Sequence, residues 1–290
     1  MPELPEVETV RMGLEALLPG RVFKHVAHNN EKSFPNAETD VAAFLIGATV
    51  ERVKRRAKVL LVELSSAYSL VIHLKMTGQL VFVSPEARFG AGHPNDSLVG
   101  ELPDRSTRVT FTFADDSRLF FNDQRKFGWV RLIPTTEVPN IDFMRKVGPE
   151  PLDPTFTAED FFERLQRRKN TSIKAALLDQ SVIAGVGNIY ADESLWGAKI
   201  HPATVVHTVS KQKIRTLFDE LQYVLKLAIE KGGSSDKNYV NAEGKKGSYL
   251  SFARVFRREG LACPRCNTTI EKLRVAGRGT HICPHCQKLR

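Results

Sequence analysis

Cys263-Pro264-Arg265-Cys266 and Cys283-Pro284-His285-Cys286 stand near the end of the chain, two Cys-x-x-Cys pairs with sixteen residues between them. Each pair can set two thiolates on one tight knuckle, and two knuckles complete a tetrahedral shell for zinc. Disulfides or a redox couple are the other readings of four cysteines. A redox motif needs no matching second pair, and disulfides fit poorly with the reducing compartment that the rest of the sequence suggests. The spacing therefore predicts one structural Zn2+ held by Cys263, Cys266, Cys283 and Cys286. Four thiolates leave no open position, so the metal holds shape and does no chemistry.

Outward from these knuckles the charge is lopsided. Residues 231–290 hold 13 Lys+Arg against 4 Asp+Glu, whereas the first 230 residues hold 29 of each sign, so the net charge of +9 lies wholly in the last fifth of the chain. A solubilising tail is one reading. The same segment carries all four cysteines and several aromatic residues, which favours a folded basic module, and such modules usually meet nucleic acid. No stretch approaches eighteen consecutive apolar residues, so no membrane span is expected. The start, Met1-Pro2-Glu3-Leu4-Pro5-Glu6, is acidic and broken by proline, unlike a signal peptide, and an intracellular protein is expected.

The remainder divides at Gly148-Pro149-Glu150-Pro151. Before it, a helix is expected from near Pro5, with Val7, Val10, Leu14 and Leu17 on one stripe and Pro19-Gly20 as its stop. Strands are expected over 58–64, 70–74, 79–83, 108–113 and 119–121, the last two joined by a turn at Asp115-Asp116-Ser117. Residues 85–106, rich in Gly, Pro and Asp, read as a long surface loop. After the linker, helices are expected over 158–168, 172–179, 188–197 and 211–229. The prediction is an α+β multidomain chain: a β-rich domain over 1–148, a helical domain over 149–233, and a last piece over 234–290 ending in the zinc hairpin.

Several residues are candidates for chemistry. Methionine before proline is normally trimmed, which would leave Pro2 as a free secondary amine. An α-amino group with a pKa near 7.7–8.0 is about one-tenth neutral at pH 7, roughly a hundredfold more available than an ordinary lysine. Such an amine can attack a sugar C1′ and give an iminium, an electron sink. Glu3 and Glu6 follow at one and four residues, suited to proton handling. Pro and Glu also favour any helix's first turn, so capping is an equal reading. In the run Arg52-Val53-Lys54-Arg55-Arg56-Ala57-Lys58, a solvated face is the ordinary reading, and Lys58 at the head of a strand is the residue that could aim inward. Met76 in His73-Leu74-Lys75-Met76-Thr77-Gly78, and Arg125 with Phe127 in Asn122-Asp123-Gln124-Arg125-Lys126-Phe127-Gly128, are either core lids or wedges that enter a DNA stack. Gly185-Val186-Gly187-Asn188 opens a helix whose free N–H groups could hold a phosphate.

In this order, and together with Gly187-Asn188-Ile189-Tyr190-Ala191, these motifs resemble the bacterial formamidopyrimidine-DNA glycosylases of the Fpg/Nei family over essentially the whole chain. Leu4 favours this branch over the endonuclease VIII branch, which attacks oxidised pyrimidines. The resemblance implies an N-terminal β-sandwich with flanking helices, a helix-two-turns-helix domain and a C-terminal four-cysteine zinc-finger β-hairpin. It implies excision of oxidised purines, 8-oxoguanine and formamidopyrimidines, from double-stranded DNA by a monomeric cytoplasmic enzyme that is both glycosylase and lyase. Pro2 would be the Schiff-base nucleophile, Glu3 the acid that opens the sugar, Lys58 the aid to β-elimination, and Arg278 the residue for δ-elimination. Met76, Arg125 and Phe127 would fill the void left by the flipped base. His73, Lys174 and Asn188 would hold phosphates, and the segment from Gly232 to about Tyr249 would close over the flipped base. Three positions depart from the family pattern. Ser106 replaces a DNA-contacting histidine, with Arg108 nearby as a compensating contact; Phe256 replaces a tyrosine; Asn170 replaces a lysine. Two other functions remain open at this stage: an endonuclease VIII-like enzyme, and a damage-binding protein without catalysis.

Overall fold

Glu3 caps the first helix, α1 (Leu4–Glu15), through a reciprocal box: its side chain accepts from the backbone of Glu6, and the Glu6 carboxylate accepts the Glu3 N–H at 2.8 Å. Val7, Val10 and Leu14 form the buried stripe expected of them. The computed structural model to which this helix belongs describes residues 2–93, 95–234 and 249–289. Those residues divide into two compact units, 1–145 with 231–248 and 146–230 with 249–290. The helical stretch and the zinc hairpin thus share one unit, a different grouping from the three consecutive pieces expected from sequence.

The first unit is a sandwich of two antiparallel sheets. One has the order β1 (Phe23–His28), β7 (Thr107–Phe113), β8 (Arg118–Asp123), β5 (Gly78–Val83), β6 (Arg88–Gly92). The other runs β2 (Val50–Arg56), β3 (Val59–Leu64), β4 (Tyr68–His73), β9 (Trp129–Pro134). Alternate residues of both sheets, among them Leu60, Val62, Ile72, Phe82, Phe111 and Phe121, bury one shared core closed by Val7, Val10 and Leu14 of α1.

Two expectations need correction. Residues 85–106 are not simply a surface loop, because β6 adds an edge strand to the larger sheet. Phe89 of that strand packs so closely on α1 that a Cβ at Gly13 would fall 2.0 Å from its ring, and Leu98 packs with Val81 and Phe120. The second concerns Lys58, which belongs to the two-residue turn between β2 and β3, with Ala57 at φ +53°, and not to the strand.

In the second unit the helices Ala158–Gln166, Ile173–Leu178, Asn188–Gly197 and Lys211–Glu230 lie close to their expected bounds. The longest turns Ile214, Leu217, Phe218, Leu221, Val224, Leu225 and Ala228 to the core at helical spacing. The chain then forms the hairpin β10 (Glu271–Val275) and β11 (Arg278–Ile282). Its turn residues Ala276 and Gly277 have φ of +51° and +72°, the positive pair that a tight two-residue hairpin requires.

Candidate DNA-repair site

At the N-terminal corner Pro2 is buried, and Glu3 and Glu6 are 4% and 6% exposed. The capping reading holds for both glutamates. Glu6 does more: its second oxygen accepts the N–H of Ser234 at 2.7 Å. Gly233, at φ +84°, stands so near that a Cβ would meet this oxygen at 3.1 Å. One carboxylate therefore joins α1 to the residues leading into 235–248. That segment, expected to close over the flipped base, lies outside the described residues, as does Met1, whose removal the amine chemistry requires.

Lys58 is 5% exposed, beside the register pair Val59 and His73. Burial, with the positive charges of Lys75 and Lys58, pushes the His73 pKa down to about 3. Its Nδ1 accepts the Lys75 N–H at 3.0 Å. The ring is therefore neutral with its proton on Nε2, so it can offer an oxyanion a hydrogen bond but no charge. Much of the basic run ahead of Lys58 is neutralised: Arg52 and Lys54 pair with Glu63 at 2.6 and 2.7 Å, and Arg55 with Glu8 at 2.7 Å.

Met76 and Phe127 are exposed by 37% and 55%. The Arg125 guanidinium lies over the Phe127 ring at 4.9 Å. Exposure of this kind disfavours the core-lid reading of these side chains. Arg108, expected to contact DNA, is instead 7% exposed. Its guanidinium donates to the carbonyls of Asp123 at 2.8 Å and Arg105 at 2.9 Å. Ser106 is likewise buried, its hydroxyl donating to Asp104 at 2.6 Å.

In the second unit the four cysteine sulfurs lie within 4.8 Å of one another, and Cys266 and Cys283 are 3.4 Å apart. Zinc–sulfur bonds of about 2.3 Å in a tetrahedron put neighbouring sulfurs roughly 3.8 Å apart, so the cluster fits a metal and is far too open for S–S bonds. The Thr268 hydroxyl and backbone hold the Cys266 thiol down at about 5, in favour of the metal-binding thiolate. Arg278 is exposed at the hairpin tip. Beside it the Asn188 amide donates to the Gly279 carbonyl at 2.9 Å. Lys174 departs from the expected phosphate ligand. It is fully buried, and its ammonium reaches Asp192 at 2.6 Å, the Thr280 hydroxyl at 2.7 Å and the Gly279 carbonyl at 3.4 Å. It braces the hairpin.

Comparison with known proteins is consistent along the chain. Residues 1–130 match the family model of the formamidopyrimidine-DNA glycosylase N-terminal domain, 147–239 its H2TH domain, and 260–289 the zinc finger found in FPG and IleRS. The formamidopyrimidine-DNA glycosylase of Pediococcus pentosaceus is 42% identical over 100% of both chains. The chain belongs to the formamidopyrimidine-DNA glycosylase family. Among solved structures, Lactococcus lactis Fpg in complex with abasic-site DNA is 35% identical, covers 99% of each chain and superposes with a TM-score of 0.86. Thermus thermophilus MutM gives 0.83 at 35% identity over 100% of each. Membership makes this a DNA glycosylase with a zinc-finger module. No described helix is long and apolar enough to cross a membrane.

Against this family pattern the departures acquire physical readings. Ser106 and Arg108 turn inward and brace the sheet, while Phe256 packs its edge on the His281 ring at 5.0 Å. Asn170 is exposed. Sequence reading passed over two residues that the structure makes central, Asp123 and Asp192, both with no exposure. Asp123 stands inside a quoted motif, and that was its only signal. Asp192 follows the quoted Gly187–Ala191 motif directly and gave none.

Proposed function

We propose that this chain excises oxidised purines from duplex DNA and then cuts the strand, with the Pro2 amine as nucleophile. The observation that carries the reading is the N-terminal corner: Pro2 is buried with Glu3 and Glu6 at the positive end of α1, which favours a neutral amine. The relatives solved with Fapy-dG and abasic-site DNA support the same substrate class.

The Pro2 nitrogen gives its lone pair to C1′ as the glycosidic bond breaks and the base leaves. Glu3 protonates the ring oxygen as the sugar opens, leaving an iminium on C1′. Loss of a C2′ proton, aided by Lys58, then expels the 3′ phosphate. A second elimination, aided by Arg278, expels the 5′ phosphate and leaves a one-nucleotide gap with phosphate ends. Met76, Arg125 and Phe127 occupy the space left in the duplex, and Arg125 faces the widowed cytosine. His73 and Asn188 offer neutral donors to phosphates. One zinc ion on the four cysteines holds the hairpin that carries Arg278. A monomer in the bacterial cytoplasm, at the nucleoid, fits this chemistry.

The test compares duplexes carrying 8-oxoguanine and thymine glycol and identifies the ends produced. Faster cleavage at 8-oxoguanine with phosphate on both ends is expected. Preference for thymine glycol would move the chain to the pyrimidine branch, and binding without cleavage would leave a damage-binding protein.

A further inference from the structure

The two loops that carry the exposed wedge side chains are separated by more than forty residues in sequence, yet one buried carboxylate joins them. Asp123 ends β8 and has no exposure. Its Oδ1 accepts the hydroxyl of Thr77, the neighbour of Met76, in a short hydrogen bond, and the N–H of Arg125 at 3.2 Å. Its Oδ2 accepts the N–H of Gly128, the neighbour of Phe127, at 2.7 Å. The Thr77 hydroxyl closes the ring by accepting the Arg125 N–H at 3.1 Å. The backbone of Asp123 is held as firmly, its N–H donating to the Ser106 carbonyl and its carbonyl accepting from Arg108, both at 2.8 Å.

Both loops need such a clamp. Lys75 and Lys126, one in each, have φ of +51° and +59°, a region that side-chain-bearing residues adopt only when the surroundings over-determine it. Gly128 is tight as well: a Cβ there would lie 2.7 Å from the Phe121 ring and 3.1 Å from Asp123 Oδ2. Loops whose tips are exposed, whose backbones are strained and whose bases meet at one carboxylate can move only together.

We propose that Asp123 is a positioning residue that locks the Met76 loop and the Arg125–Phe127 loop into one rigid wedge. It thereby sets both base extrusion and discrimination of the opposite base. The inference rests on the functional reading above. Asp123 touches neither DNA nor the reacting atoms, and it acts through Thr77, Arg125 and Gly128. Its removal should slow steps that need the wedge and spare steps that do not.

The full-length zinc-loaded chain tests this with Asp123→Asn, Thr77→Ala and, as a control carboxylate on an exposed turn, Asp116→Asn. In Asp123→Asn the new amide sets a donor against the N–H of Gly128 or the Thr77 hydroxyl. Single-turnover excision from 8-oxoguanine:cytosine should fall about ten- to a hundredfold, by the loss of one or two hydrogen bonds to a charged acceptor. The preference for cytosine over adenine opposite the lesion should shrink in parallel. Borohydride trapping on a pre-formed abasic site, where no base is extruded, should change by less than about threefold. Thr77→Ala should give a smaller loss with the same pattern, and it carries the test if the Asp123 variant fails to fold. Amide exchange at Arg125 and Gly128 should quicken in both variants. Equal losses on lesion and abasic substrates, or no loss on either in folded protein, would overturn the proposal. A wild-type chain that neither excises nor traps would overturn the functional reading and this inference with it, an outcome visible before any substitution is made.

Discussion

Asp123 and Asp192 are both wholly buried, and each ties functional segments to the body of its own unit, but they do so with different partners. Asp123 accepts hydrogen bonds from neutral donors on two loops. Asp192 neutralises the Lys174 ammonium at 2.6 Å, and its other oxygen accepts the His281 N–H at 2.9 Å. The first arrangement fixes geometry at modest energetic stake. The second makes the hairpin bearing Arg278 depend on a buried ion pair, whose loss strands a charge in a low-dielectric interior.

The contrast predicts a ranking. Asp192→Ala should be the most damaging, by about 3–5 kcal/mol in denaturant unfolding, because Lys174 is left buried and unpaired. Asp192→Leu combined with Lys174→Met should recover much of that loss; a double variant as unstable as the single would show that the charge is not the cause. Asp123→Ala should cost less, about 1–3 kcal/mol, since it orphans only neutral donors. A larger cost for Asp123 than for Asp192 would reverse the comparison.

His73 supplies a smaller, pH-dependent effect. Its pKa lies at about 3 in the fold against 6.5 for the free side chain, so the unfolded chain takes up the proton first as pH falls. The stability this residue contributes is therefore present above pH 6.5 and is lost as pH falls from there towards 3. Between pH 6.5 and 5 the loss should be about 1.5 kcal/mol, and His73→Asn should flatten that part of the profile. Smallest of all should be Glu63→Gln, which releases the half-exposed Arg52 and Lys54 from their pairs. Stability should move by less than about 0.5 kcal/mol, while DNA affinity rises slightly and its salt dependence steepens.

What the sequence could tell follows the range of the interactions involved. The cysteine knuckles, the α1 stripe and the alternating β7 residues are local patterns, and they appear where expected. Strands β1, β2, β6 and β9 were not anticipated. β1 presents mostly exposed residues, β6 is the glycine-bearing Arg88–Gly92, and β9 ends in proline, so none carries a clean alternation. Lys174 read as a free cation because its partners Asp192 and Thr280 lie 18 and 106 residues away. Arg108 read as a DNA contact because the acceptors that turn it inward are backbone carbonyls, and those leave no mark on a sequence. Asp123 stood in plain view, but only the fold brings Thr77 to it.

The most direct test of the proposed chemistry is borohydride trapping on an 8-oxoguanine:cytosine duplex, read on a denaturing gel. A covalent protein–DNA band in the wild type, absent from Pro2→Gly and from a form that retains Met1, is the expected result. A band of equal strength in those two forms would place the nucleophile elsewhere, and no band in a wild type that cuts the same duplex would contradict the imine altogether.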